Sequence, residues 1–346
     1  MLFNRIHVAD ARLLWYNGPV ILVEERESMG VIDALSAGLR AVARHLWLIV
    51  LPAALDLFLW LGPRLSVRSL VEQWVRQWQS MMDVAAPEMA VPSMDLLVEM
   101  LRTDDQSINL LSLLANRLVG QPSLAPLLPG GGWGGVIEVQ SLGGAILGGV
   151  VFAALGLLIA ALYLSLIVGQ LREPGPDWQG FGRQLLRRWL QLGLYVAALL
   201  ATIVAIALPF SLAFALAMLM GPTTGPAIIG ILTMVLIWLS LWLFLSLFFV
   251  TPAIVLDDAN VVTAVWRSVN VVVRNFWGTV GLWLLTQFIL VGFSLIWQRL
   301  SQWPLGGFIG IIGNAYLATG LIAASIYFYQ DRYAKWQAQR VARRQI

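Results

Sequence analysis

No cysteine occurs in the 346-residue chain, which excludes disulfides, thiolate catalysis and cysteine-based metal sites. Histidine occurs twice. His7 sits in a charged N-terminal arm and His45 at the start of an apolar run, so the pair builds neither a catalytic triad nor a metal cluster. Charge is scarce as well: Asp, Glu, Lys and Arg make up 12% of the residues, about half the share of a soluble domain. Lys335 is the sole lysine among 22 basic residues. The arginines are scattered at the ends of apolar runs, and with a net charge of +3 nucleic-acid binding is not expected. The first 18 residues hold Arg5, Asp10 and Arg12 and no continuous apolar stretch, so no cleavable signal peptide is expected.

What fills the chain is apolar. Hydrophobic residues reach 59%, and stretches 139–171, 189–256, 275–298 and 300–330 contain no Asp, Glu, Lys or Arg. A helix needs about 20 such residues to cross the hydrocarbon of a bilayer. The expected fold is therefore an all-α integral membrane protein with about six spans, over 46–63, 142–170, 190–220, 226–256, 277–299 and 305–330. The long run 189–256 must hold two of them, broken at Gly221-Pro222-Thr223-Thr224-Gly225-Pro226, and Pro209 is expected to kink the third span. Arg172, Arg183, Arg187 and Arg188 follow span two, Arg267 and Arg274 follow span four, and five basic residues occupy the tail, against Arg299 alone in the short loops opposite. The positive-inside rule then puts both termini in the cytoplasm of a cell whose inner membrane holds the chain.

Four regions follow: an arm, interfacial helix and first span over 1–63; an extracytoplasmic insertion over 64–141; a five-span bundle over 142–330; and a basic tail over 331–346. In the insertion Leu70, Trp74, Trp78 and Met81 or Met82 recur at helical spacing, and 93–103 and 106–119 also read as amphipathic helices, so a helical cap without strands is expected. The glycine run 130–135 lacks the Lys-Ser/Thr of a phosphate loop and reads as a linker.

The chain also repeats itself. Residues 31–47 and 261–277 align without a gap at an offset of 230, with Val31, Ala34, Arg44 and Trp47 matched by Val261, Ala264, Arg274 and Trp277. Upstream, a proline-led apolar stretch ends in Glu24-Glu25 in one copy and Asp257-Asp258 in the other. A third, weaker copy runs from Asp177 through Arg187, Arg188 and Trp189. The unit reads as an interfacial elbow helix leading into a span, its carboxylates suited to the unpaired N–H groups at the helix start and its arginine to the other end, near headgroups.

At Phe249 to Asp257, Ala264 and Asn275-Phe276-Trp277 the chain resembles the multi-pass membrane domain attached to some bacterial glycerophosphodiester phosphodiesterases, and related multi-pass families. The resemblance covers about the last 170 residues and implies a membrane bundle; the soluble phosphodiesterase domain has no counterpart, so activity does not carry over.

Candidate sites are few. Asp56 is the one acidic residue inside an expected span, where an ionised carboxylate costs about 3 kcal/mol unless paired or hydrated. The repeat equates it with Thr286, next to Gln287, and Asn314 lies at similar depth in span six, so Asp56, Thr286, Gln287 and Asn314 form a candidate midplane polar cluster. The alternative is that Asp56 lies near the outer headgroups, neutralised by Arg64. Arg44, Arg187, Arg188 and Arg274 are candidate headgroup contacts. No catalytic set, metal or cofactor is implied. The partners expected are the lipid bilayer and other membrane proteins, and the function expected is that of a non-enzymatic scaffold or accessory subunit. Alternatives are a small-molecule or ion permease working through Asp56, and a lipid-processing enzyme.

Overall fold

The computed structural model describes residues 29–85, 109–116, 119–120, 123–128, 134–171, 180–221, 223–303 and 305–344. Glu24, Glu25, Arg172, Asp177, the expected helix 93–103 and most of the glycine linker lie outside them. The described chain is all-α apart from one small sheet. Its helices are α1 (Val31–Arg44), α2 (Val50–Leu61), α3 (Arg68–Ala85), α4 (Leu142–Leu171), α5 (Phe181–Met218), α6 (Thr224–Leu247), α7 (Val250–Asp257), α8 (Val261–Arg274), α9 (Phe276–Leu300) and α10 (Gly306–Arg344).

Five helical runs are long and apolar enough to cross a membrane: α4, α5, α6 continued by α7, α9, and α10. The sixth expected span, 46–63, is not a single straight helix. A 3-10 turn over Leu46–Ile49 precedes α2, and α1 and this segment meet at a 95° bend. The 16 residues 46–61 rise only about 24 Å at 1.5 Å each, less than the roughly 30 Å of a hydrocarbon core. Gly62-Pro63 ends α2, since proline cannot continue the hydrogen-bond ladder.

Helix α10 is the axis of the molecule, with 61% of its most apolar window buried. Helix α9 lies antiparallel along it, Gly278 opposite Phe328 at one end and Gly313 under the Trp297 ring at the other. Helix α1 lies along another face. A Cβ at Gly38 would collide with the Gly320 carbonyl and the Ala324 backbone, so only glycine lets the two backbones approach this closely. The Arg332 guanidinium donates to the Met29 carbonyl at 3.0 Å. From Met29 to Leu39, α1 therefore tracks α10 from Arg332 back to Gly320. Helix α1 is thus packed lengthwise on a span-length helix, a contact that the reading of it as an elbow did not include. Helix α10 does not stop at residue 330; it runs on as one helix through Arg344, with Tyr333 and Trp336 buried.

The insertion between α2 and α4 differs most from expectation. Helix α3 is present, but two strands, β1 (Arg64–Ser66) and β2 (Val136–Glu138), pair in parallel, Leu65 opposite Ile137. Three-residue strands carry no readable alternation. Leu110–Leu114 form a 3-10 turn that lies along α4, where a Cβ at Gly156 would meet the Leu113 carbonyl. Leu111, Leu114 and Ala115 pack with Leu55 of α2. Residues 124–128 fill the wall between α2 and α10, with Leu124 and Leu128 against Ala53, Ile311 and Ala315. These parts of the insertion thus penetrate the bundle instead of capping it.

Candidate functional sites

The first site is Asp56. Its carboxylate is buried, at 1% exposure. Oδ1 accepts from the Ser123 hydroxyl at 2.6 Å and Oδ2 from the Leu124 N–H at 2.7 Å. Both donors open the short turn Ala125–Leu127, where Pro126 removes a backbone donor. Buried backbone N–H groups must find an acceptor, and Asp56 supplies it, so the carboxylate works as a peg for the insertion. Asn314 is buried on the α10 face that meets α2, between Ile311 and Ala315. Thr286 and Gln287 stand half-buried on α9. Asp56 and Asn314 thus occupy facing helices, and the bonds from Ser123 and Leu124 join the carboxylate to the insertion. The signal that would have found Ser123 was weak: a serine before Leu-Ala-Pro, 67 residues away.

The second site is an ionic knot that sequence reasoning missed. Asp257 and Asp258 do not cap α8. Asn260 does, accepting from the Thr263 N–H at 2.8 Å, while the Val261 N–H is taken by Gln191 of α5 at 3.0 Å. Asp258 sits at the end of α7 with φ +49° and binds the Arg188 guanidinium at 2.7 Å. Asp257 accepts from Arg267 at 2.7 Å and from the Tyr329 hydroxyl at 2.8 Å. Arg267 also lies over the Tyr333 ring, 4.8 Å from its centre. Desolvation opposes the charge on Arg267, but Tyr333 and Asp257 more than offset it, and its pKa is raised. The knot ties α5, α7, α8 and α10 together. Arg188, a candidate headgroup contact, is accordingly turned inward at 4% exposure, whereas Arg44, Arg187 and Arg274 are exposed. The proposed third repeat copy shows no elbow: α5 runs unbroken through Arg188 and Trp189, and on through Pro209.

The repeat itself is realised in the helices. Helices α1 and α8 have 14 residues each and begin and end at equivalent positions. Their C-caps, His45 at φ −132° and Asn275 at φ −128°, leave the helix the same way. Gly38 corresponds to Ser268, which is fully buried. The Ser268 hydroxyl donates to the Ser246 carbonyl at 2.7 Å and accepts from the Phe249 N–H at 3.1 Å, bridging the break between α6 and α7.

Among the described residues, no group of three or more His, Asp or Glu side chains is arranged to hold a metal. Residues 181–306, from α5 to the start of α10, match a family model described as a domain of unknown function (DUF7847). No curated protein and no solved structure matches the chain.

Proposed function

We propose that the chain is a multi-pass membrane scaffold or accessory subunit without enzymatic activity, and that α5 and α6 form the hairpin through which it holds a membrane-protein partner. The observation that carries this reading is the exposure of that hairpin: none of the most apolar window of α5 and 6% of that of α6 is buried. Exposed apolar residues occupy nearly every position of a turn, as at Ile231, Met234, Val235, Ile237, Trp238 and Leu239, so neither helix has a side turned to the bundle there. One limb is also long. Helix α5 has 38 residues, about 57 Å, against roughly 30 Å of hydrocarbon; a limb of that length leans away from the bilayer normal or runs on past its edge.

Helix α5 offers a surface for that neighbour. Gly193, Ala197, Ala201 and Ala205 recur every four residues, the three alanines exposed and the space beside Gly193 open. Helices in lipid associate through such small-residue ridges. The polar groups support the same reading, since Asp56, Asp257, Asp258 and Arg188 are engaged in holding elements together. Both termini are read as cytoplasmic and the membrane as the inner membrane, from the arginine distribution.

The test is the native mass of the assembly extracted from its own membrane. Ala197→Leu with Ala201→Leu should shift the chain from a larger complex towards its own mass, leaving its thermal unfolding unchanged. A permease working through Asp56 would instead show pH-dependent uptake in proteoliposomes that Asp56→Asn removes, which would contradict the scaffold reading.

A further inference from the structure

With α10 crossing a bilayer, as the proposed function has it, and Asp331 at the cytoplasmic edge as the first charge after the uncharged run, the outward face of α1 lies deep. Gly38 abuts Gly320 and Ala324, and Gly320 is 11 residues from Asp331, about 16 Å along the helix, or half a hydrocarbon core. Arg40 and Arg44 project from the exposed face of α1 at and beyond this level, on one stripe with exposed Ala43 and half-buried Ser36 and Ala37. Among the described residues neither guanidinium has an ion-pair or hydrogen-bond partner. Charged side chains at such depth face water-filled clefts or bound polar groups. Directly after Arg44 the surface turns apolar, with Leu46, Trp47 and Val50 at 55%, 45% and 62% exposure.

We propose that this face of α1 is the wall of a lateral furrow that admits the phosphate of an anionic phospholipid to mid-depth. Arg40 and Arg44, one helical turn apart with Cβ atoms about 6 Å from each other, straddle one phosphate, since a guanidinium presents a planar fork matched to its oxygens. The acyl chains lie on Leu46, Trp47 and Val50. A phospholipid carries phosphate and hydrocarbon on one molecule, which is the combination this surface offers and free phosphate lacks. The second repeat copy does not make this site: Arg274 ends a helix that packs on α6 and α7 and leads directly into the span-length α9. The proposal rests on the bundle crossing a bilayer, independently of any partner on α5.

The absence of cysteine makes the test direct. Single substitutions Ala37→Cys and Ala43→Cys, with Val291→Cys on the exposed apolar face of α9 as control, are labelled in intact vesicles with a membrane-impermeant maleimide. The expected result is labelling at 37 and 43 on the order of tenfold or more faster than at 291, as for a wetted against a lipid-covered site. Labelling of all three positions would contradict the crossing itself; labelling of none would contradict the furrow alone. The full chain is then placed in nanodiscs of phosphatidylcholine with a minor share of phosphatidylglycerol, and retained lipid is read by native mass spectrometry. Phosphatidylglycerol should be enriched, and Arg40→Gln with Arg44→Gln should abolish the enrichment while Arg274→Gln keeps it. Unchanged enrichment in the double variant, or its loss on adding millimolar inorganic phosphate, would overturn the assignment to a lipid. If the double variant does not fold, Ala43→Trp, which crowds the stripe without removing charge, replaces it, with the same loss expected.

Discussion

The two copies of the repeat share a helix and diverge in everything beyond it. Helix α1 and helix α8 match residue for residue in length and C-cap geometry, yet α1 lies along α10 and leads through a 95° bend into the short α2, while α8 braces α6 and α7 and leads into the 25-residue α9. The divergence turns on one small residue. Gly38 removes the side chain so that backbones touch; Ser268, its counterpart, places a hydroxyl that bridges the break at Phe249. Amphipathic periodicity fixes that a helix forms; the residue at the contact decides what the helix is for.

The comparison can be broken most sharply at the ionic knot of the second copy. Asp258→Ala leaves Arg188 buried without its carboxylate, at an expected cost of about 3–5 kcal/mol, read as a large fall in thermal unfolding midpoint in nanodiscs. Arg188→Met in the same chain should recover most of it, because an apolar side chain of similar volume replaces the stranded charge. Next comes Gly38→Val, which forces α1 off α10 and should cost about 1–3 kcal/mol or more. The equivalent position, Ser268→Ala, strands the Phe249 N–H and should cost about 1–3 kcal/mol, with the exposure localised by hydrogen exchange to residues 246–250. If Ser268→Ala is silent while Gly38→Val is severe, only the first copy depends on its small residue.

Asp56 and Thr286 sharpen the same contrast. Asp56→Ala should cost about 1–3 kcal/mol by leaving the Leu124 N–H without an acceptor, and should raise protease sensitivity near Ser123. Thr286→Ala, at the corresponding position of a half-buried helix face, is expected to stay within about 0.5 kcal/mol of the parent.

Much of this was legible in the residues. The uncharged runs located the five span-length helices, the offset of 230 located α1 and α8, and Gly221, at φ +89°, marks the turn between α5 and α6. Two kinds of information were not. Pairings such as Arg188 with Asp258 and Asp56 with Leu124 join residues 70 and 68 positions apart, and no local period encodes a contact across that distance. Packing depth was equally hidden: α1 has the Asp33, Arg40 and Arg44 stripe of an interfacial helix, and only the close approach at Gly38 reveals that its other face is pressed along α10. In the insertion, 106–119 reads as an amphipathic helix, but the partners of Leu110 and Leu113 on α4, Gly148, Gly149 and Gly156, lie about 40 residues on.

The scaffold reading stands or falls on what touches α5 in the membrane. Photocrosslinking from an unnatural amino acid at Ala201, compared with the same probe at Phe288, 77% exposed on α9, gives the most direct answer. A discrete protein adduct from position 201, lost on Ala197→Leu and absent from position 288, is the expected result; lipid adducts alone from both positions would contradict a partner on the hairpin.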